Sequence, residues 1–278
     1  MGNDRRKQKP DIHRVILPEI TPLEIWDCIT SEGILWDSMY QNCFPLILKK
    51  VIEDLQSGTA ASASKTIINT AAQDFDALYI GGGGARCEEI ISALQELNIP
   101  VIVSENPVFS GVAGGKHLLE KHDLKGLVVD IGQTQIKIST DQKLHTYQRD
   151  LKLLPIRDDE DTAHHKEQLQ NFYRFVGSSI AENVQLIHKP EGIVLALPCW
   201  IGNDLSLGGS SYAGMKGNSE LIEQILNHAD LDNIKIILLN DAELTCYTAL
   251  CDKRLNGFKK VLVVTLGFGV GAAVLDAV

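Results

Sequence analysis

No run of apolar residues in this 278-residue chain approaches the roughly 20 needed to span a bilayer, so no membrane partner is expected. Basic stretches are equally scarce. The formal net charge of −10 repels a polyphosphate backbone, and no basic stripe interleaved with aromatics offsets it, which argues against nucleic acid as a partner. No secretory signal is expected either, because Arg5, Arg6, Lys7 and Lys9 stand in a polar segment with no apolar stretch behind them. Met1 and Gly2 open like a myristoylation site, but Arg6 occupies the position that needs Ser or Thr. The six cysteines contain no C-x-x-C pair and no Cys/His cluster of zinc spacing. They read as small core residues of a soluble, cytoplasmic protein. Long Pro- or Ser-rich linkers and fixed-period repeats are also lacking.

What the chain does contain is a recurring alternation of short apolar runs with helical patterns, the signature of an α/β fold. Strands are expected at 77–80, 101–104, 127–131, 193–197, 234–239 and 261–266, most of them apolar on successive residues as strands covered on both faces should be. The segment 134–140 alternates polar with apolar and follows its predecessor across a Gly-Gln turn, so it is expected to return as a hairpin. Helices are expected over 39–55, 86–97, 166–187, 219–228 and 241–255, and loops over 58–64 and 157–165. The acidic run Asp158 to Asp161 reads as solvated loop, since nothing fixes its carboxylates toward a common point.

Three glycine turns carry the chemistry. Val128-Val-Asp-Ile-Gly-Gln-Thr-Gln-Ile-Lys137 places Asp130 at the end of a buried strand, then Gly132, Gln133, Thr134 and Gln135. Backbone N–H groups and a hydroxyl in such a turn suit phosphate oxygens, and Asp130 suits a magnesium ion held through water. A plain hairpin with a glycine corner explains that segment equally well. In the second turn, strand 261–266 runs into Gly267-Phe-Gly-Val-Gly271, where Gly267, Gly269 and Gly271 flank Phe268 and Val270. No helix follows and no Gly-Lys-Ser/Thr follows, so this is neither a Rossmann fingerprint nor a Walker loop but a hairpin fit to cradle phosphate. The third turn comprises Gly81, Gly82, Gly83 and Gly84 between a strand and a helix, where a flat ring could lie against backbone. The nearby Asn106-Pro-Val-Phe-Ser-Gly-Val-Ala-Gly-Gly115, which includes Gly111, leads into a further helical stretch whose small residues allow close packing at a hinge.

The segment Ile236-Ile-Leu-Leu-Asn-Asp-Ala242 ends a strand at Asn240 and begins a helix at Asp241, with Glu243 following. Asn240 is a good N-cap and a first-turn carboxylate is favoured by the helix dipole, which is one sufficient explanation. The other is that Asp241 takes the proton from a substrate hydroxyl as it attacks a phosphoryl group.

Together these segments resemble the ROK (repressor, open reading frame, kinase) sugar kinases. Asp130-Ile-Gly-Gln-Thr-Gln-Ile is similar to their first phosphate motif, Asn240-Asp-Ala to their catalytic segment, and Gly267-Phe-Gly-Val-Gly to their second phosphate motif. Gly81 to Gly84 resemble the adenosine motif of the wider superfamily that also holds actin and plasmid-segregation filaments, and 106–114 resembles its connecting helix. The order is rotated, since the adenosine-like turn precedes Asp130. The resemblance therefore implies two ribonuclease H-like lobes with a nucleotide cleft between them, circularly permuted. Residues 1–122 are expected in the adenosine-side lobe, 123–245 in the lobe of the first phosphate motif and acceptor, and 246–278 in the second phosphate hairpin, which returns to the first lobe. A fusion or truncated tandem is the alternative to permutation.

The resemblance implies ATP and Mg2+ as cofactors and a sugar-like small molecule as substrate, and it leaves a homodimer open. Asp241 is the implied catalytic base and Asp130 the implied metal anchor. Nucleotide contacts fall to Gly132, Gln133, Thr134, Gln135, Gly267, Phe268, Gly269, Gly271, Gly82, Gly83, Gly84 and Gly111. Acceptor contacts fall to Asn240, Asp241, Ser211, His13 and Asp11, the last two through similarity to a Gly-His segment of bacterial glucokinases. Departures from the family are Gln133 for Gly, Gln135 for Lys, Phe268 for Thr, and Ser211 for the sugar-binding Asn of the loop 208–217. Cys199 and Trp200 stand where the family has a Pro-Gly turn, which implies an altered acceptor pocket or none. A catalytically degenerate, nucleotide-responsive switch is thus the second expectation.

Overall fold

A computed structural model of the chain describes residues 11–15, 17–23, 75–132, 135–141, 143–149, 162–187, 190–210, 215, 217–231, 234–267 and 270–276. The strands in chain order are β1 (Asp11–His13), β2 (Ile20–Leu23), β3 (Ala77–Gly81), β4 (Val101–Val103), β5 (Gly126–Ile131), β6 (Gln135–Ser139) and β7 (Leu144–Gln148). They continue with β8 (Gly192–Leu197), β9 (Cys199–Ile201), β10 (Leu207–Ser210), β11 (Lys235–Asn240), β12 (Lys260–Leu266) and β13 (Val270–Asp276). The α-helices are α1 (Glu88–Gln95), α2 (Ser110–Lys121), α3 (Thr162–Val184), α4 (Leu221–Ala229) and α5 (Asp241–Leu250). The chain is mixed α/β, as its alternating pattern implies. The expected helix over 39–55 and loop over 58–64 lie outside the described residues.

Two compact units divide the chain. The first comprises Met1–Val15 and Gly115–Leu239, the second Ile16–Gly114 and Asn240–Val278. The chain therefore passes between them within α2, at the junction of β11 with α5, and after residue 15.

In the first unit a six-stranded sheet has the order β1-β11-β8-β5-β6-β7. β5 and β8 are parallel neighbours buried along their whole length, which is why their sequences are apolar on successive residues. β6 returns antiparallel to β5, so the expected hairpin is present, and β7 returns antiparallel to β6 at the sheet margin. Exposure then alternates along β7, as a strand with one wet face requires. Leu127, Val129 and Ile131 of β5 meet Ile136 and Ile138 of β6 beneath Phe172, Val176 and Ile180 of α3 and Ile222, Ile225 and Leu226 of α4. Each such buried side chain contributes about 1.5–3 kcal/mol relative to exposure. Gly177 lets α3 and α4 touch, because a Cβ there would meet the carbonyl of Ile225 at 2.6 Å.

In the second unit a five-stranded sheet has the order β2-β13-β12-β3-β4. β12 runs antiparallel to β13 and parallel to β3, β13 antiparallel to β2, and β3 parallel to β4. Period two divides β12 into two faces. Leu262, Val264 and Leu266 join Leu78 and Ile80 of β3 in a core with Ile90 and Leu94 of α1, while α5 packs on β12, β13 and β2. The two sheets share one connection scheme. Each has a strand flanked on one side by two successive antiparallel neighbours (β5 with β6 and β7; β12 with β13 and β2) and on the other by two further strands (β8 and β11; β3 and β4). In the first unit these five strands occur in chain order. In the second, β12 and β13 come last in the chain and β2, β3 and β4 come before them.

Some boundaries differ from expectation. The segment 162–165, expected in a loop, is the first turn of α3, because residues without Gly or Pro suit a helical turn as well as a loop. The helix expected over 241–255 stops at Leu250, where the Asp252 carboxylate accepts the Arg254 backbone N–H at 3.0 Å and opens a separate 3-10 turn, Lys253–Leu255. The helix expected from 86 begins at Glu88, after a 3-10 turn at Gly83–Arg86.

Helices α2 and α5 approach closely within the second unit. The Leu244 carbonyl lies over Gly114, where a Cβ would overlap it, and the Thr248 hydroxyl donates to the Ser110 carbonyl. Backbone contact of this kind leaves no room for a side chain. Gly114→Val is expected to destabilise the protein by about 3 kcal/mol, read as a lowered urea midpoint at unchanged slope.

Candidate functional site

Helix α5 begins at the C-terminal end of β11, and its first turn is fixed by reciprocal capping. The Asn240 side-chain oxygen accepts the Ala242 N–H at 2.8 Å, and Glu243 Oε2 accepts the Asn240 N–H at 2.8 Å. Asp241 Oδ1 also lies 2.8 Å from the Ala242 nitrogen and accepts from it. The carboxylate is thereby held at the positive end of the helix, where a negative charge is favoured.

That carboxylate meets the second glycine hairpin. Thr265 of β12 pairs with Gly271 of β13. A Cβ added at Gly271 would lie 2.6 Å from Asp241 Oδ1, 2.6 Å from Thr265 Oγ1 and 3.2 Å from the Ala242 Cβ. Glycine at 271 is what admits the carboxylate to this place. Thr265 is a site residue that sequence reasoning missed; its signal was the period of two that puts it on the same strand face as Val261 and Val263, together with its position two residues before Gly267.

The adenosine-like turn adjoins the same strand end. Gly81 is buried, and a Cβ there would meet Thr245 Cγ2 at 2.9 Å and the Ser110 side chain. Gly82 has φ of 85°, in the left-handed region, and a Cβ on it would strike the Leu266 backbone. Its N–H donates to the Pro107 carbonyl at 2.6 Å. Packing within the unit therefore accounts for glycine at 81 and 82. Gly83 is different, being exposed with nothing within 4 Å of an added Cβ. The Gly84 carbonyl accepts the Cys87 N–H at 3.0 Å. Thus Gly82, Leu266, Gly271 and Asp241 gather about the C-terminal ends of the parallel strands β3 and β12, the edge at which open α/β sheets bind ligands. Gly267 is exposed at the same strand end, and Gly111 is buried in the first turn of α2.

Two other ionisable groups of α5 are deeply buried. Burial pushes the Cys246 thiol well up and the Tyr247 hydroxyl to about 12, with the Glu243 carboxylate adding to both. Both stay protonated at neutral pH.

In the first unit, Asp130 sits one residue before the end of β5, and Gly132 closes the turn by donating its N–H to the Gln135 carbonyl at 3.0 Å. The β5–β6 register sets Lys137 opposite Asp130, and Lys137 Nζ donates to Asp130 Oδ2 at 2.9 Å, with both side chains buried. Lys137 is the second residue missed, although a hairpin turning at 132–134 already places it across from Asp130. Among the described residues no three His, Cys, Asp or Glu side chains gather to hold a metal ion. One carboxylate is still the donor set magnesium uses when phosphate oxygens and water complete its shell, so Asp130 fits that ion.

Asp11 and His13 lie on β1, which pairs in parallel with β11 at the sheet margin, and His13 Nε2 is 2.8 Å from Asp11 Oδ1 with both side chains exposed. Gln135 is half-buried at the start of β6. Gln133, Thr134, Ser211, Phe268 and Gly269 lie outside the described residues. None of the described helices is long and apolar enough to cross a membrane.

No protein-family model matches the chain, and no curated protein matches it. Among solved structures it is similar to ethanolamine utilization protein EutJ from Carboxydothermus hydrogenoformans, with a TM-score of 0.41 and 13% identity over 73% of this chain and 72% of that one. It is also similar to a ROK family protein from Streptococcus pneumoniae TIGR4 in complex with sucrose, with a TM-score of 0.32 and 16% identity over 71% of this chain and 84% of that one. These are loose likenesses, and the chemistry of the site rests on its own residues.

Two substitutions separate the parts of this site. Gly271→Ala should displace the Asp241 carboxylate, since the new methyl needs the space Oδ1 occupies; an intact position of Asp241 in a crystal structure of the variant would contradict this. Gly83→Leu should leave the melting temperature within about 2 °C, as an exposed surface change does.

Proposed function

We propose that the chain is an ATP- and magnesium-dependent phosphotransferase acting on a hydroxyl of a sugar or sugar-like small molecule. The observation that carries this reading is the seating of Asp241: a carboxylate capped in place at a helix start and fitted against Gly271 of a glycine hairpin. A fixed carboxylate beside a phosphate-binding turn is the arrangement a general base for phosphoryl transfer needs.

In this reading Asp241 accepts the proton of the attacking hydroxyl while Asn240 keeps the helix start rigid. The glycine hairpin 267–271 of the second unit and the turn at Gly132 and Thr134 of the first are each assigned to phosphate, and Gly82 to Gly84 to the adenosine. Bound magnesium ATP supplies the phosphoryl group and a cation that offsets its charge. Asp130 would hold that cation, and the ammonium of Lys137, its present partner, would then be available to phosphate. Catalysis of this kind is almost entirely positioning and charge stabilisation, so rigid turns and caps are its working parts. Ser211, His13 and Asp11 are assigned to the acceptor. The shared connection scheme of the two sheets, with the strand order of the second unit rotated, supports reading each unit as a ribonuclease H-like lobe and the chain as circularly permuted.

The Asp130–Lys137 pair also favours a second reading. A buried ammonium already neutralises the carboxylate, and Phe268 brings bulk where a hydroxyl is expected, as in a protein that binds nucleotide and responds without transferring phosphate.

Incubation with magnesium ATP and a panel of hexoses and amino sugars distinguishes the two. Sugar-dependent ADP release is expected, and Asp241→Asn should lower it by at least about a hundredfold, the lower range for loss of a general base, while ATP affinity stays within about twofold. Equal loss of both would remove Asp241 from the catalytic role. A thermal shift with ATP and no turnover on any sugar would establish the switch instead.

A further inference from the structure

Trp200 is an exposed aromatic that the site above does not use. It lies on β9, which pairs antiparallel with β10 in a two-stranded sheet of its own. Its neighbours Cys199 and Ile201 are 3% and 1% exposed and join the core of the first unit, so strand alternation turns Trp200 to the other face, where it is 37% exposed. The ring is nevertheless seated. A Cβ at Gly208 would lie 2.8 Å from Trp200 Cε3 and 3.1 Å from its Cβ, and one at Gly202 would lie 3.2 Å from Cη2. Two glycines thus support the six-membered ring of the indole, and any larger residue at 208 would lift it. An aromatic surface held against backbone loses little freedom when a ligand stacks on it.

Polar groups border the ring. The Ser206 hydroxyl donates to Asp204 Oδ1 at 2.5 Å and the Ser206 N–H at 3.1 Å, and these bonds hold the Asp204 carboxyl below the usual carboxylate value. Both groups adjoin Gly202, since a Cβ there would meet Asp204 Oδ1 and Ser206 Oγ at 2.5 Å each. A flat apolar surface with a carboxylate and a hydroxyl at its rim complements a pyranose, whose C–H groups form an apolar face and whose hydroxyls form a polar edge. The carboxylate opposes a phosphate-bearing ring, so a nucleotide is the poorer occupant.

We propose that the β9–β10 hairpin is a pyranose-binding platform, with Trp200 stacking on the sugar ring and Asp204 and Ser206 bonding its hydroxyls. It rests on the phosphotransferase reading only in taking the bound sugar to be the acceptor.

The test is equilibrium binding of glucose, mannose, N-acetylglucosamine and adenosine to the full chain without ATP, by calorimetry and tryptophan emission. At least one sugar should bind wild-type protein. Trp200→Leu, which covers the glycines without an aromatic face, should weaken it about tenfold or more, the equivalent of one lost aromatic contact, whereas Trp200→Phe should stay within about threefold. Asp204→Asn should weaken binding without altering the melting temperature. No sugar binding to wild type, unchanged sugar binding in Trp200→Leu, or Trp200-dependent binding of adenosine alone would each overturn the platform. The two readings fail separately: Trp200-dependent sugar binding without turnover sinks the phosphotransferase, and turnover with an unchanged KM in Trp200→Leu sinks the platform.

Discussion

The placement of one carboxylate constrains much of the second unit. Asp241 Oδ1 occupies space that any side chain at 271 would claim, and it is held there by the Ala242 N–H within a capped first turn. For that turn to reach the hairpin, α5 must lie on β12 and β13, and α2 must lie close to α5. Small groups make both approaches feasible: Gly271 under Asp241, Gly114 under the Leu244 carbonyl, and the Ser110, Thr245 and Thr248 hydroxyls between the helices. Hydroxyl-bearing side chains there satisfy backbone carbonyls while keeping the helices near, which larger apolar residues would not do.

The first unit faces a different constraint. Removing an ammonium and a carboxylate from water is costly, and a buried pair seldom stabilises a fold more than apolar residues of similar size would. Lys137 and Asp130 are therefore poorly explained by stability alone. In the proposed reading, their position at the closed end of a glycine hairpin is where a charged ligand would exchange their partners. Gly83 differs from its neighbours, because packing explains glycine at 81 and 82 and does not explain it at 83.

Much of this was legible in the chain itself. The apolar runs became β3, β5, β8, β11 and β12 because strands covered on both faces are apolar at every residue, and the alternating segment returned as β6, buried from Ile136 to Ser139 on both faces, with its polar Lys137 paired to Asp130. The Asn240 cap was readable because capping is local, set by residues two and three apart. Short or weakly apolar strands such as β1, β2, β7, β9 and β10 carried too little period to be recognised. The early end of α5 was hidden as well, since it depends on a competing hydrogen bond that the Arg254 N–H donates to Asp252.

What the sequence determined by itself were the elements and the turn chemistry, because both arise from interactions within a few residues. Tertiary structure decided which groups meet. Thr265 and Gly271 face Asp241 only because strand register sets them side by side under α5; Lys137 faces Asp130 only through hairpin pairing; Gly82 adjoins Leu266 through the pairing of segments far apart in the chain. Such contacts depend on the alignment of distant backbone hydrogen bonds, and a one-residue slip would turn each of these side chains to the opposite face.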